Sequence, residues 1–348
     1  MLKIADYFRP SVLALKPYSS ARDDFEGNAR VCLDANENPF NSPLNRYPDP
    51  HHRALKKKIA ELKKVDPDCI FLGNGSDEVI DVVIRASCEP VIHEIISIDP
   101  TYGMYEVAAA VNNVPFKKVR LYSDYSLDAD ALIKASGPSS RLLFLCSPNN
   151  PTSNSFDTRA IEKVIRSFPG LVIVDEAYID FSVHPGFLQR LPEFPNLIIF
   201  QTLSKAWGLA GVRLGMAFAT PEIIAVLNKI KYPYNISSLN QKAALEKLMN
   251  PSIKDNWVNI LLKERKSLAE NLAKLDIITK VFPSDANFLL VKTTDPRGIY
   301  HWLVERSVIV RDRSSVSLCE GCLRITVGSK EENGILVNIL KEYENIKR

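Results

Sequence analysis

Positions 202 to 215 read TLSKAWGLAGVRLG. A serine directly precedes Lys205, Arg213 follows eight residues on, and three of the chain's 14 glycines stand at 208, 211 and 215. Such glycine density points to tight turning and close backbone approach rather than a loose linker. The apolar run at 197–200 reads as a buried strand, which delivers Lys205 at a strand end, into a crevice. Ser204 and Arg213 are suited to a phosphate, the first through its hydroxyl and the second as a bidentate donor. Lys205, desolvated beside that cation, has reason to carry a lowered pKa and to form a Schiff base with an aldehyde.

Residues with matching chemistry stand at other strand ends. A four-residue apolar run ends at Asp175, with Tyr178 three residues later. A carboxylate at the end of a buried strand is costly unless paired, and a protonated pyridine nitrogen would pair with it well. The run at 142–146 opens into SPNNPTS, a polar loop in which the amide of Asn150 is free to donate. After the run at 95–98, Tyr102 stands where its ring can face a ligand, or pack as ordinary core. After the run at 69–72, GNGSDE opens a helix whose first turn contains Ser76 and Asp77. The unpaired N–H groups of that turn make an anion site, and its acidic side chains can cap and point away. Ser-Asp-Glu also simply starts helices well, and neither a dinucleotide fingerprint nor a nucleotide P-loop spacing is met. Together these groups supply a phosphate clamp, a stacking ring, a nitrogen partner, two donors for a phenolic oxygen and a Schiff-base lysine. Those are the needs of one cofactor, pyridoxal 5'-phosphate.

The elements that must position these side chains alternate from about 70 to 220, strand with helix. That is the pattern of an α/β fold, a doubly wound, mostly parallel sheet with helices on both faces. From 221 the helices lengthen, and 253–275 reads as a helix bridging two domains. Strands at 280–282, 288–291, 308–311 and 323–327, with helices at 298–306 and 331–346, then form a smaller α+β domain. We expect an N-terminal arm at 1–35 joining the small domain, a large domain at 36–245 and the small domain at 246–348. Arg324, among apolar neighbours in CLRITVGS, wants an anion, either a ligand or a structural carboxylate, and Arg311 can add a second charge. Tyr47 lies in NRYPDP, too proline-rich for a helix or central strand, so something else must hold it, a neighbouring subunit being one candidate. Asn36 belongs to a polar turn, and Tyr18 to the arm, where surface packing is equally open.

Composition narrows the alternatives. The chain has 348 residues, 46% hydrophobic and 24% charged, enough for a large and a smaller core. A net charge of +3 with both signs interspersed gives no footprint for nucleic acid or an acidic membrane surface. No apolar run reaches transmembrane length, and the first residues are broken by charges, so a cytoplasmic protein is expected. Cys319 and Cys322 form the only C-x-x-C among six cysteines, and without two further ligands nearby they are expected as reduced thiols, with no metal.

Seven motifs in order, NENP at 36, RYPDP at 46, GSDE at 75, SPNNPT at 147, DEAY at 175, SKAWGLAGVRLG at 204 and RITVGS at 324, resemble the fold-type I pyridoxal-phosphate enzymes. In wording they look most like the histidinol-phosphate aminotransferases, over nearly the whole chain. The resemblance implies that Lys205 carries the cofactor, Asp175 meets its ring nitrogen, and Tyr178 and Asn150 meet its phenolic oxygen. It implies that Tyr102 stacks on the ring and that Ser204, Arg213 and the amides of Ser76 and Asp77 hold the phosphate. Tyr47 would reach the phosphate in the other subunit of a homodimer, and Arg324, with Arg311, Tyr18 and Asn36, would bind substrate. The implied reaction interconverts histidinol phosphate and 2-oxoglutarate with imidazole-acetol phosphate and glutamate, in histidine biosynthesis. A threonine-phosphate decarboxylase or another aminotransferase of this fold stays open. A pyridoxal-phosphate-sensing transcription factor would need a DNA-binding module for which the first 30 residues give no room. One departure is visible: where NPTG is usual the chain has Ser153, which puts the geometry of a turn that tolerates positive φ in question.

Overall fold

A computed structural model describes residues 3–19 and 29–347. Its large sheet has seven strands: β1 (Ile70–Asn74), β2 (Glu94–Asp99), β3 (Phe116–Arg120), β4 (Ser140–Cys146), β5 (Leu171–Asp175), β6 (Leu197–Thr202) and β7 (Leu214–Phe218). Their spatial order is β1-β7-β6-β5-β4-β2-β3, and only β7 runs antiparallel to its neighbours. The central strands are apolar on both sides because both sides are covered. In β5, Leu171 and Ile173 pack into one core while Val172 and Val174 pack into the other.

Helices α1 (Pro10–Ala14), α2 (Arg53–Lys63), α3 (Gly75–Ser87), α4 (Met104–Val111), α5 (Ala129–Ala135), α6 (Thr158–Ser167), α7 (Pro221–Ile230) and α8 (Ser238–Leu248) belong to this unit. Helices α3, α4 and α7 cover one face through residues such as Val79, Ala109 and Leu227. Helices α2, α5, α6 and α8 cover the other through Leu55, Leu132, Ile161 and Leu248.

Helix α9 (Pro251–Leu272) leads into a four-stranded antiparallel sheet of β8 (Ile278–Val281), β9 (Phe288–Thr293), β10 (Arg311–Asp312) and β11 (Cys322–Thr326), ordered β10-β11-β9-β8. Helices α10 (Pro296–Glu305) and α11 (Lys330–Lys347) pack on it through Ile299, Leu303, Leu336 and Leu340. A separate apolar cluster of Tyr178, Phe181, Ala206, Val258, Ala286 and Phe288 binds this unit to the large sheet.

Three expectations are corrected. The strand expected at 308–311 is only Arg311–Asp312, because Val308 and Val310 are drawn into the small core from an irregular segment. The boundary expected at 245/246 falls inside α8, whose Leu248 is sealed in the large unit's core. The described start of the arm, including a 3-10 turn at Ile4–Tyr7, packs on the large unit rather than the small one. Tyr7, Phe8 and Val12 join the core under α3 and α7, and Arg9 bonds Glu89 at 3.0 Å. Positions 20–28 of the expected arm lie outside the described residues.

Candidate active site

A cavity of about 430 Å³ lies between the carboxyl ends of β2, β4, β5 and β6 and one face of the small sheet. This is the rim at which open α/β sheets bind ligands. Of the residues singled out by sequence, Ser76, Asp77, Tyr102, Asn150, Asp175, Tyr178, Ser204, Lys205, Arg213, Arg311 and Arg324 all line it. Three do not line it. Tyr47 stacks on Tyr234 with ring centroids 4.5 Å apart, Tyr18 is exposed, and Asn36 sits exposed in a left-handed turn with φ 55°.

The floor is built on Asp175, 4% exposed. Its Oδ2 accepts from the Tyr105 hydroxyl at 2.5 Å and its Oδ1 from the Ala177 amide at 3.0 Å. Burial pushes its pKa up, while those two donors and the nearby Lys205 pull it back down. Burial also drives the Tyr105 phenol well above its usual range, so the proton stays on the tyrosine and is donated to the carboxylate. Tyr105 is held in turn by stacking on Phe144, with centroids 4.6 Å apart and planes 17° apart.

Lys205 follows β6 and reaches into the cavity, its Nζ 5.6 Å from the centre of the Tyr178 ring. Its side chain is open to the cavity's solvent yet walled by protein, and that burial is the first cause lowering its pKa. Arg324 and Arg213 lower it further, and Asp175 opposes them. A larger share of neutral amine at ordinary pH follows, as a Schiff-base nucleophile or general base needs.

An anion cradle stands at one side. Asn74 caps α3 without a side-chain bond to the first turn, so the amides of that turn are left to a ligand. Gly215 of β7 lets the strand pass directly over them: a Cβ there would come 2.4 Å from the Ser76 nitrogen. A Cβ on Gly75, where φ is +79°, would stand 2.4 Å from Arg213 Nη2. Thr202 fixes the Lys205 turn, its Oγ1 accepting from the Ser204 amide at 3.1 Å and lying 3.1 Å from Ser204 Oγ. Asp77 departs from expectation. Its side chain does not point away but lines the cavity, accepting from Tyr102 at 3.2 Å and pairing with Arg213 at 3.2 Å. Burial, with Asp77 second, raises Tyr102 to about 12.

The opposite wall belongs to the small sheet. Arg324 Nη1 donates to Asn150 Oδ1, which leaves the Asn150 amide hydrogens for the cavity. The guanidinium lies over Phe288, 5.3 Å from the ring centre, and among the described residues it has no carboxylate partner. Ser153 meets the question raised by its sequence: it adopts φ 65° while fully buried. Its one hydroxyl hydrogen is shared between the Thr152 and Pro283 carbonyls, at 2.6 and 3.1 Å from Oγ, tying the Asn150 loop to the small unit.

Sequence reading missed Tyr105, Arg313 and Asn149. Asn149, 0% exposed, donates to Pro100 and Thr152 and accepts from Thr101 at 2.9 Å, locking the loop beside Asn150. The doubled asparagine in SPNNPTS was its available signal. No group of three or more side chains able to hold a metal ion occurs among the described residues. Nor is any helix there long and apolar enough to cross a membrane.

The donor set suits a phosphorylated pyridine aldehyde: an amine, a buried carboxylate, an uncapped helix start and a glycine-cleared cradle are all present in one cavity. The comparisons agree in kind. Residues 25–340 match the family model described as Aminotransferase class I and II. The chain is 54% identical over 344 residues to a histidinol-phosphate aminotransferase of Parabacteroides distasonis, covering 99% of this chain and 100% of that one. A crystal structure of the histidinol-phosphate aminotransferase from Clostridium acetobutylicum aligns with TM-score 0.80 at 26% identity, over 87% of this chain and 92% of that one. An L-threonine-O-3-phosphate decarboxylase from Porphyromonas gingivalis has the same fold, with TM-score 0.74 at 20% identity over 87% and 91%.

Proposed function

The chain belongs to the class I and II aminotransferases, and from that premise we propose that it exchanges an amino group between histidinol phosphate and 2-oxoglutarate in histidine biosynthesis. One observation carries the reading. A single cavity holds two separate sets of anion-binding groups, Ser76, Ser204 and Arg213 from the large sheet and Arg311 and Arg324 from the small one. The first suits the cofactor's phosphate, and the second a substrate that brings an anion of its own.

Pyridoxal 5'-phosphate, when bound, supplies an electron sink for the carbanion at the substrate's Cα. Lys205 would anchor it, Asp175 would face its ring nitrogen, and Tyr178 and Asn150 its phenolic oxygen. Asp175, whose carboxylate accepts from Tyr105, would favour positive charge at that nitrogen. The Nζ of Lys205, with its lowered pKa, takes the proton from Cα of the bound amine. Arg324 orients the substrate's anionic end, steadied by Asn150 and Phe288.

We also propose a homodimer with Tyr47 lent to the neighbouring site. Tyr47 stands outside its own cavity, and Tyr232, Leu239, Met249, Ile253, Trp257 and Ile260 expose an apolar surface on and beside α8 and α9. Sedimentation should give twice 39.0 kDa, and a single 39.0 kDa species would overturn this part.

The substrate assignment is tested by mixing the cofactor-loaded protein with histidinol phosphate and, separately, with threonine phosphate. The cofactor absorbance and carbon dioxide are followed. Loss of the aldehyde-form absorbance with histidinol phosphate, and no gas from either, is expected. Gas from threonine phosphate would replace the transaminase with a decarboxylase.

A further inference from the structure

The cavity wall of the small sheet carries one more cation than the substrate reading so far uses. Arg311 of β10 and Arg324 of β11 are direct partners across an antiparallel pair, so their side chains leave the same face. Arg313, two residues after Arg311, returns to that face and also lines the cavity. Its backbone is pinned, the amide donating to the Cys322 carbonyl at 2.9 Å and the carbonyl accepting from Val316 at 2.9 Å.

None of the three guanidinium groups has a carboxylate within ion-pair distance among the described residues. The acid between two of them, Asp312, turns instead to Ser314, accepting from its amide at 2.8 Å and its hydroxyl at 2.6 Å. Arg313 Nε is buried with no hydrogen-bond partner. A donor left unpaired in a half-buried cavity is costly, and three like charges on one wall raise that cost, unless an anion occupies the space between them. Burial lowers the pKa of both Arg313 and Arg324, and the next cause is in each case another arginine of the set.

The number of charges bears on the kind of anion. Glutamate and 2-oxoglutarate each carry two carboxylates, but these are separate groups of one charge and two oxygens each, and one bidentate arginine satisfies either. A phosphate monoester carries close to two charges at neutral pH and three acceptor oxygens, which one arginine does not satisfy. We propose that Arg313 is a specificity-determining residue that recognises the phosphate monoester dianion of one substrate, completing a three-arginine site with Arg311 and Arg324. This rests on the substrate reading above and names the residue that lets one cavity take both singly charged carboxylates and a doubly charged phosphate ester.

The test measures the two half-reactions separately in the loaded enzyme, histidinol phosphate in one and glutamate in the other, for wild type, Arg313→Gln and Arg313→Lys. Binding of histidinol phosphate is also measured by titrating the cofactor absorbance. Arg313→Gln should raise KM and Kd for histidinol phosphate by roughly tenfold to a hundredfold, the loss of one charge-assisted hydrogen bond from a half-buried site. The effect should fall on KM more than on kcat, be much smaller for glutamate, and be partly rescued in Arg313→Lys, which keeps the charge. Equal loss in both half-reactions, or no change in either, would overturn the assignment. If wild type itself fails to react with histidinol phosphate, the substrate reading falls. If wild type reacts and the ratio of the two KM values is the same in Arg313→Gln, only the role of Arg313 falls.

Discussion

Asp175 and Tyr105 show how the cost of charge on one buried carboxylate is reduced. Closed off at the end of β5, the carboxyl is pushed toward its neutral form by burial; the short bond from Tyr105 and the Ala177 amide favour the anion and oppose part of that shift. Tyr105→Phe removes one of these donors without changing the ring that stacks on Phe144. The Asp175 pKa should then rise, so the acid limb of kcat/KM moves to higher pH. Activity at its optimum should fall about tenfold, equivalent to losing roughly 1–2 kcal/mol from one charge-assisted bond. An acid limb that stays where it was would show that Tyr105 is only a packing residue. Asp175 could be read from sequence because a charge after LVIV stands out. Tyr105 could not, since a tyrosine in a helical run of small apolar residues reads as core, and core it also is.

At the scale of elements, the loop after β4 is where sequence and structure differ most usefully. A glycine would take the left-handed turn at 153 without strain, whereas Ser153 takes it at a cost of about 1–2 kcal/mol. Its hydroxyl bonds to Thr152 and Pro283 offset that cost and join the loop to the small unit, helped by the Asp285 amide donating to the Ser153 carbonyl at 2.8 Å. Ser153→Ala keeps the strain and loses both bonds, so chemical denaturation should show it about 1–2 kcal/mol less stable than wild type. Ser153→Gly loses the bonds and the strain together and should lie between the two. A glycine variant less stable than the alanine variant would contradict this balance. The same reasoning explains why the site-bearing turns were legible while the arm was not. Turns announce themselves through Gly, Pro and Asn, but the docking of Tyr7, Phe8 and Val12 under α3 and α7 depends on a surface that no local pattern describes.

At the scale of the molecule, the cavity exists only where the two sheets meet. The large sheet brings the amine, the buried carboxylate and one anion cradle; the small sheet brings the arginines; and the cluster around Tyr178 and Phe288 holds the two together. The alternation of strands and helices made the large sheet readable, and the rim residues followed from strand ends. The register that sets Arg311 opposite Arg324, and so returns Arg313 to the cavity, is a pairing of distant segments and left no mark on the sequence beyond three arginines. If this cavity is the transaminase centre, Lys205 is the residue that anchors the cofactor. Reducing the cofactor-loaded protein with borohydride and mapping the modified peptide by mass spectrometry tests it most directly. The pyridoxyl group should be found on Lys205 alone, and recovery of the label on any other lysine would contradict the assignment.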